Sequence, residues 1–356
     1  MTTASPAAAL QFGLDTFGDV TRGLDGELLT GAQTVRNVVE QGVLADAVGV
    51  DVFAVGEHHR DDYAVSAPDM VLSAIAGRTS RIHLSTAVTV LSSDDPVRVF
   101  ERFSTLDAIS NGRAEIIVGR GSFTESFPLF GFDLADYDVL FEEKLDLFAK
   151  LATGEPVTWS GTKRARLDDV TLYPRLEHAP LPTWVAVGGT PQSVVRAAAY
   201  GLPLMLAIIG GAPARFQPFA RLYRQASEKY GTGAHPIGMH SPGHIADTDE
   251  AALEQHYAAH TAMFARIGRE RGWQAPATEA ESRAQYEAEV RHGALYVGSP
   301  ETVARKIAAN VRAVGVDRFA LKYTTGTIAH EHSMRAIELY GEKVVPMVRE
   351  LLAEGE

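Results

Sequence analysis

The segment from Glu57 to Arg60 places a carboxylate, two adjacent histidines and a guanidinium directly after an apolar run. A histidine at a strand end could transfer a proton, because its side chain titrates near neutral pH. A catalytic metal is a second interpretation, but neighbouring residues of a strand face opposite sides, so His58 and His59 cannot share one ligand sphere. A hydrogen-bonded packing histidine is the third. The pattern favours an acid–base or cofactor-contacting histidine and predicts no metal.

A second chemical signal is the turn that joins a strand to a helix within residues 187–198. Gly188 and Gly189 allow close backbone approach, while Thr190 and Ser193 lie at the helix N-terminus, where free amides and the helix dipole attract anions. An ordinary capped turn is the alternative interpretation. Arg120 follows another strand and supplies a matching positive charge, although a surface ion pair would also explain it. Together these residues predict a phosphate-bearing cofactor.

The elements that must position these residues follow a repeating strand–helix pattern. Proline marks two of the helix starts, at Pro68 and Pro96. Alternating units of this kind predict an α/β fold with a parallel sheet, and eight of them in one chain favour a (β/α)8 TIM barrel over an open sheet. The eight predicted strands are Phe12–Phe17, 50–55, Ile82–Leu91, Arg113–Gly119, 183–189, 203–211, 235–247 and Asp317–Tyr323.

No linker divides the chain, so residues 1–356 are predicted to form a single domain. Two segments interrupt the repeat. Residues 157–174 alternate and turn at Ser160 and Gly161, which predicts a β-hairpin inserted in the barrel. Residues 265–293 are polar and irregular, and they are a candidate mobile lid.

The composition narrows the class of protein. The chain has 356 residues, 46% of them hydrophobic, so a large core can form. A formal net charge of −12 argues against nucleic acid and anionic membranes as partners. The sequence contains no cysteine, which excludes disulfides and cysteine nucleophiles. The N-terminal residues do not resemble a secretion signal, and no apolar run approaches the ~20 residues of a membrane span, so we expect a cytoplasmic protein.

Several blocks of the sequence closely resemble the bacterial luciferase-like, flavin-dependent monooxygenase family. The resemblance runs from about residue 12 to 350, and the block from Ser85 to Phe123 is specific. The similar blocks are VGEHH, STAVTVLSSDDPVRVFERFSTLDAISNGRAEIIVGRGSF, FPLFGFDL, WVAVGGTPQSVVRAAAYGLPL and YVGSPETVARKI.

This resemblance implies a (β/α)8 barrel that binds reduced flavin mononucleotide (FMN) at its C-terminal mouth and forms a homodimer. The family's strand-two histidine falls on His58. We expect Glu57 to hold the tautomer of His58 or to pair with Arg60 or Arg120. A non-proline cis peptide beneath the flavin ring would fall on Ala87–Val88. The cofactor-binding residues implied are Phe17, Ala87, Val88, Arg120, Gly188, Gly189, Thr190 and Ser193.

The chain departs from bacterial luciferase at three positions. Luciferase has an acidic residue and a serine where this chain has Gly188 and Gly189, and a cysteine where this chain has Gly119. These differences argue against light emission and against a long-chain aldehyde as substrate. The sequence resembles a general member of the family.

The resemblance implies a two-component monooxygenase. A separate NAD(P)H-dependent flavin reductase would deliver reduced FMN, and the enzyme would use O₂ to oxygenate a small organic substrate. Three alternatives stay open: a deazaflavin-dependent oxidoreductase of the same fold, a flavin-binding protein without turnover, and a metal hydrolase, which the histidine spacing disfavours. The identity of the substrate does not follow from the sequence.

Overall fold

The computed structural model describes residues 10–354. The N-terminal residues considered for a secretion signal lie mostly outside this range, as do both ends of the predicted 1–356 domain. The strands are β1 (Gln11–Thr16), β2 (Val52–Val55), β3 (His83–Thr86), β4 (Thr89–Val90), β5 (Ile116–Gly119), β6 (Val157–Trp159), β7 (Leu167–Val170), β8 (Thr183–Val187), β9 (Leu204–Ala207), β10 (Ile237–Ile245), β11 (Tyr296–Gly298) and β12 (Arg318–Lys322).

Helices cover the outside of the sheet. They are α1 (Gly31–Ala47), α2 (Pro68–Ala76), α3 (Pro96–Ser110), α4 (Ser126–Leu129), α5 (Tyr137–Leu151), α6 (Pro191–Ala199), α7 (Gln217–Tyr230), α8 (Asp249–Arg271), α9 (Glu279–His292), α10 (Pro300–Val314), α11 (His330–Leu339) and α12 (Val345–Ala353). A π-helical turn, Tyr340–Val344, joins α11 to α12. Pro68 and Pro96 open α2 and α3 as predicted. In residues 10–354, no helix combines the length and the apolar character that crossing a bilayer requires.

The main sheet is an almost closed parallel barrel. Its strands lie in the order β3, β2, β1, β12, β10, β9, β8, β5 and β4. A cis peptide bond between Ala87 and Val88 separates β3 from β4, which together form one interrupted barrel strand. A bridge from Leu84 to Ala114 brings β3 alongside the start of the β5 segment. The predicted α/β, (β/α)8 barrel is confirmed.

An ion pair closes the barrel at the end where its strands begin. Arg318 donates two hydrogen bonds to Glu115, at 2.5 and 2.9 Å, and both side chains are buried. The guanidinium also lies 4.1 Å from the ring centre of Trp184. Burial raises the pKa of Glu115, but the charge and hydrogen bonds of Arg318 outweigh it and lower the pKa below its ordinary value. The floor of the barrel is therefore packed and carries a paired charge.

The structure confirms the prediction for one of the two segments that interrupt the repeat and contradicts the prediction for the other. Strands β6 and β7 pair antiparallel, which confirms the hairpin predicted within residues 157–174. The prediction of irregular structure across residues 265–293 is wrong, because this segment contains the end of α8 and all of α9. Thr248 and Thr278 cap the two helices. Both helices bury few residues, so the sequence has little of the apolar periodicity that reveals a helix.

Candidate active site

The C-terminal ends of the barrel strands surround a cavity of about 320 Å³. This is the end of a (β/α)8 barrel where active sites lie. Its deepest walls come from short or apolar side chains that point into the barrel. They are Ala54, Ile117, Ala186, Met205, Ala207 and Ala320. The cavity therefore extends into the barrel interior and offers an apolar surface there.

The interrupted strand and its neighbours form one wall of the cavity. Ala87, Val88 and Phe17 all line it; their contact with a cofactor stays a prediction. Two glycines make this wall possible. A Cβ on Gly56 would lie 2.5 Å from the Phe17 ring, and a Cβ on Gly119 would lie 2.8 Å from the Val88 side chain. Any side chain at either position would therefore displace this wall.

The mouth of the cavity holds two arginines beside the N-terminus of α6. Arg120 bonds to Asp138 at 2.7 Å, and Arg196 bonds to Glu142 at 2.5 Å. Both carboxylates belong to α5. Four of the lining residues here are Arg120, Arg196, Gly188 and Ser193. This end is suited to an anion, because two guanidinium groups meet the free amides of a helix N-terminus.

Gly189 and Thr190, also predicted to bind the cofactor, do not line the cavity. Gly189 has a φ of +108°, which turns the chain sharply into α6. The Thr190 hydroxyl donates to the Ser193 hydroxyl at 2.7 Å. Thr190 can therefore orient Ser193, while Ser193 itself lies on the cavity wall.

His58 lies immediately behind the cavity wall. Its ring packs edge-on against Phe17, with centroids 5.2 Å apart, and contacts Tyr63 at 4.5 Å and Phe123 at 5.0 Å. Only 8% of the residue is exposed. A hydrogen bond of 3.1 Å joins its Nδ1 to Glu125, and since a carboxylate only accepts, Nδ1 carries the proton. Burial raises the pKa of Glu125, but hydrogen bonding to His58 and backbone amides lowers it overall.

Glu57 does not orient His58 or pair with Arg60 or Arg120, contrary to the prediction. Its carboxylate lies 3.6 Å from the Nε2 atom of His59, and Arg60 bonds instead to Asp62 and Glu270. The chain has left β2 at this point, so successive side chains diverge. Glu57 and His59 line a separate polar cavity of about 170 Å³, bordered also by Asp69, Asp94 and Arg102. Within the described residues, no cluster of His, Asp and Glu has a metal-binding arrangement.

Sequence reasoning missed four polar residues at or behind the cavity wall. Arg196 lies one helical turn beyond Ser193, and Glu125 follows β5 by six residues. Asp15 and His240 line the cavity and are hydrogen-bonded to each other at 2.9 Å, although 225 residues separate them in the chain. Asp15 lies near the end of β1 and His240 lies in the middle of β10, and no local sequence pattern brings the two side chains together.

The segment predicted to be a lid contacts the loops around the mouth. Arg60 donates to Glu270 of α8 at 2.8 Å, and hydrogen bonding to Arg60 lowers the pKa of Glu270 to about 2. Arg271 donates to the Ser122 carbonyl at 2.9 Å. From α9, the Glu289 side chain accepts from the Gly211 amide at 3.2 Å. This segment thus touches the loops after β2, β5 and β9; its mobility stays a prediction.

A parallel eight-stranded barrel with a polar-rimmed cavity at its C-terminal end belongs to the class of (β/α)8-barrel proteins with sites at the mouth. The sequence profile described as luciferase-like monooxygenase matches residues 17–318. The chain belongs to the luciferase-like monooxygenase family, which confirms the predicted relationship.

Curated relatives support this assignment. The uncharacterized protein y4vJ of Sinorhizobium fredii is 24% identical over 91% of this chain and 95% of its own length. The 4-hydroxyprotoasukamycin monooxygenase of Streptomyces nodosus subsp. asukaensis is 31% identical over 59% of this chain and 58% of its own.

Solved structures share the fold. The monooxygenase RslO1 from Streptomyces bottropensis superposes with a TM-score of 0.79 at 24% identity, covering 95% of this chain and 99% of the other. The oxygenating constituent of 3,6-diketocamphane monooxygenase from Pseudomonas putida, solved in complex with FMN, gives 0.72 at 18% identity over 95% and 98%. The coenzyme F420-dependent tetrahydromethanopterin reductase of Methanopyrus kandleri gives 0.70 at 18% over 95% and 99%.

Proposed function

We propose that this protein is an FMN-dependent monooxygenase of the two-component type, which receives reduced FMN from a separate NAD(P)H-dependent flavin reductase. The observation that carries the proposal is the cavity itself. It joins an apolar space inside the barrel mouth to two arginines, Arg120 and Arg196, at the N-terminus of α6. The family membership and the FMN bound to a structural neighbour support the choice of cofactor.

The residues present fit a flavin mononucleotide. The phosphate would bind to Arg120, Arg196, Ser193 and the backbone of Gly188. These groups offer several donors and two guanidinium groups, which would exchange contacts with Asp138 and Glu142 for contacts with the phosphate. The flat ring system would lie against Phe17 and the Ala87–Val88 wall. Reduced flavin, when bound, supplies the electrons that let O₂ place one oxygen atom in the substrate while the other leaves as water.

The chain itself would orient the ligands, exclude water and handle protons. Buried apolar walls keep bulk water from the reacting atoms. His58 would hold or release a proton at Nε2, since Glu125 occupies its Nδ1 atom. Glu57 is not part of this proposal, because it lies in the neighbouring cavity. The substrate is a small organic molecule, and a homodimer is proposed for the assembled protein.

Anaerobic titration with reduced FMN tests the proposal. We expect micromolar or tighter binding, followed by substrate-dependent O₂ uptake in a compound screen. Arg120→Ala and Arg196→Ala should each weaken FMN binding by about 10–100-fold, since each removes a charge-assisted contact of about 1.5–3 kcal/mol. Arg166→Ala is the matched control, because Arg166 is exposed and pairs with Asp168 on the hairpin.

A parallel titration with reduced coenzyme F420 separates the alternatives. Preferential binding of the deazaflavin, with substrate reduction and no O₂ uptake, would identify a hydride-transfer enzyme instead. Binding of FMN without turnover of any compound would favour a flavin-binding protein. If neither cofactor binds at micromolar concentration, the proposed function is wrong.

A further inference from the structure

We infer that His240 is a further catalytic residue, a general base positioned by Asp15, for a substrate that carries an acidic hydroxyl on an apolar body. This inference rests on the proposed function and deepens it by naming a second proton acceptor and a class of substrate. The geometry that carries it is the pair formed by these two residues on the cavity wall.

Asp15 fixes the orientation and the tautomer of His240. Its Oδ2 atom lies 2.9 Å from His240 Nδ1, and Asp15 is only 1% exposed. A carboxylate has no proton to donate, so the Nδ1 atom of His240 must carry one. Phe17 stacks on the ring at a centroid distance of 6.4 Å and an interplanar angle of 18°. The imidazole is therefore held on two sides.

The remaining ring nitrogen is free to react. Nε2 of His240 has no hydrogen-bond partner in residues 10–354, and the ring lines the main cavity. In the tautomer that Asp15 selects, Nε2 carries a lone pair and no proton. A histidine with one nitrogen bonded to a buried carboxylate and the other facing a cavity has the arrangement of a general base. His58, by contrast, lies behind Phe17.

The barrel register explains how two distant residues meet. Strand β12 separates β1 from β10, and Ala320 of β12 pairs with Gly13 on one side and His240 on the other. Because Ala320 and Gly13 have almost no side chain, the space between Asp15 and His240 stays clear. The same short residue lines the cavity. The small side chain of Ala320 thus both leaves space in the barrel interior and allows Asp15 to reach His240.

The surroundings of the pair define the substrate class. The deep walls are apolar, with Ala54, Ala207 and Met205 beside the pair, so the body of the ligand must be apolar. Nε2 accepts a hydrogen bond and needs a donor opposite it. A phenol or an enol supplies one. When its O–H bond breaks, the electron pair stays on oxygen, and the proton on Nε2 gives an imidazolium that Asp15 stabilises.

The transferred proton has a destination within the proposed reaction. The second oxygen atom of O₂ leaves as water and takes up protons, so the proton from Nε2 returns there and His240 is neutral again for the next cycle. No oxidant or reductant is needed beyond the O₂ and reduced flavin of the proposed function.

Nitrogen-15 NMR of the side chains tests the pair without requiring turnover. The resonances of His240 should report a neutral ring protonated at Nδ1 in the wild-type protein, and Asp15→Leu should abolish that preference. An Nε2-protonated ring in the wild type would overturn the inference. This measurement holds whether or not the protein binds FMN, so it separates failure of the inference from failure of the proposed function.

Turnover of the flavin-loaded enzyme supplies the second test. His240→Ala should lower kcat by about 10²–10⁴-fold, while the Kd for reduced FMN changes by less than twofold, and added imidazole should restore part of the activity. His240→Gln retains side-chain bulk if the alanine variant folds poorly. His235→Ala is the matched control, because His235 precedes the same strand at the opposite end of the barrel and bonds only to Thr232.

Two outcomes would overturn the inference at this stage. One is wild-type kcat in both His240 variants; the other is a loss of FMN affinity with kcat unchanged, which would make His240 a binding residue. The screen should also pair each phenol or enol with its methyl ether. Equal turnover of the ethers would contradict the assigned substrate class, since an ether has no proton to give.

Discussion

Two carboxylates lie near His58, one in the sequence and one in the folded structure. The sequence predicted that Glu57 orients His58, but Glu125 is the one that bonds to it. Glu57 adjoins His58 in the chain but contacts His59, whereas Glu125, 67 residues away, bonds to Nδ1 of His58. Sequence proximity predicts little about contact once a strand has ended and the backbone turns. Only the folded chain identifies the carboxylate that orients the histidine.

Glu125→Gln should therefore impair the reaction, and Glu57→Gln should not. Loss of a charge-assisted hydrogen bond of about 1.5–3 kcal/mol corresponds to a fall in kcat of about 10–100-fold, if orientation of His58 limits turnover. Steady-state O₂ uptake by the two isosteric variants, at saturating reduced FMN, measures this. Equal effects of the two substitutions would contradict the assignment.

At the scale of elements, the strand–helix alternation and the proline-marked helix starts were readable from sequence. Apolar runs bounded by turns predicted all eight barrel strands, and Pro68 and Pro96 predicted two helix starts. The short strand β11 and the helices α8 and α9 were missed. The three residues of β11 are too few to show an alternating pattern, and α8 and α9 lack a clear apolar face.

Only part of the site could be predicted from the sequence, because local patterns identify some of its residues and not others. A strand end followed by glycines, an arginine or a helix N-terminus is recognisable from the residues around it. The sequence could therefore single out Arg120, Gly188 and Ser193, which line the cavity. The Asp15–His240 pair depends on the register in which β1, β12 and β10 are aligned. That register is a property of long-range pairing, which a single sequence does not encode in any local pattern.

The ion pair between β5 and β12 gives a prediction at this scale. Arg318→Met should destabilise the fold by about 3–5 kcal/mol, because Glu115 is left buried without a partner charge. Adding Glu115→Gln to that variant should recover part of the loss, since the remaining side chain is neutral. Urea unfolding followed by circular dichroism measures both. An equal or greater loss in the double variant would show that the buried charge is not the cause.

At the scale of the whole molecule, two buried histidines and a half-buried one link stability to pH. His244 belongs to β10, and His256 and His260 belong to α8. The ring centroids of His244 and His256 are 6.1 Å apart, and those of His256 and His260 are 5.3 Å apart. Burial lowers the pKa of His244 and of His260 to about 4, and that of His256 well below 6.5. All three are therefore neutral in the folded protein at mildly acidic pH.

The unfolded chain binds protons at these positions below about pH 6.5, whereas in the folded chain His244 and His260 do not until about pH 4. Stability is therefore fully present above pH 6.5 and falls as the pH drops towards 4, by up to about 1.4 kcal/mol per pH unit for each histidine. His260→Phe keeps an aromatic ring against Phe264 and should make this dependence shallower. Urea unfolding at pH 7.5, 6 and 5 tests it; parallel curves for wild type and variant would contradict the prediction.

The packed floor of the barrel also has a kinetic consequence. Within residues 10–354, Glu115, Arg318 and Trp184 close the far end, so a molecule that reaches the interior enters and departs through the mouth. Two ligands in such a dead-end chamber cannot exchange independently, and the deeper one leaves last. Binding and release should accordingly follow a compulsory order, and an excess of the outer ligand should slow departure of the inner one.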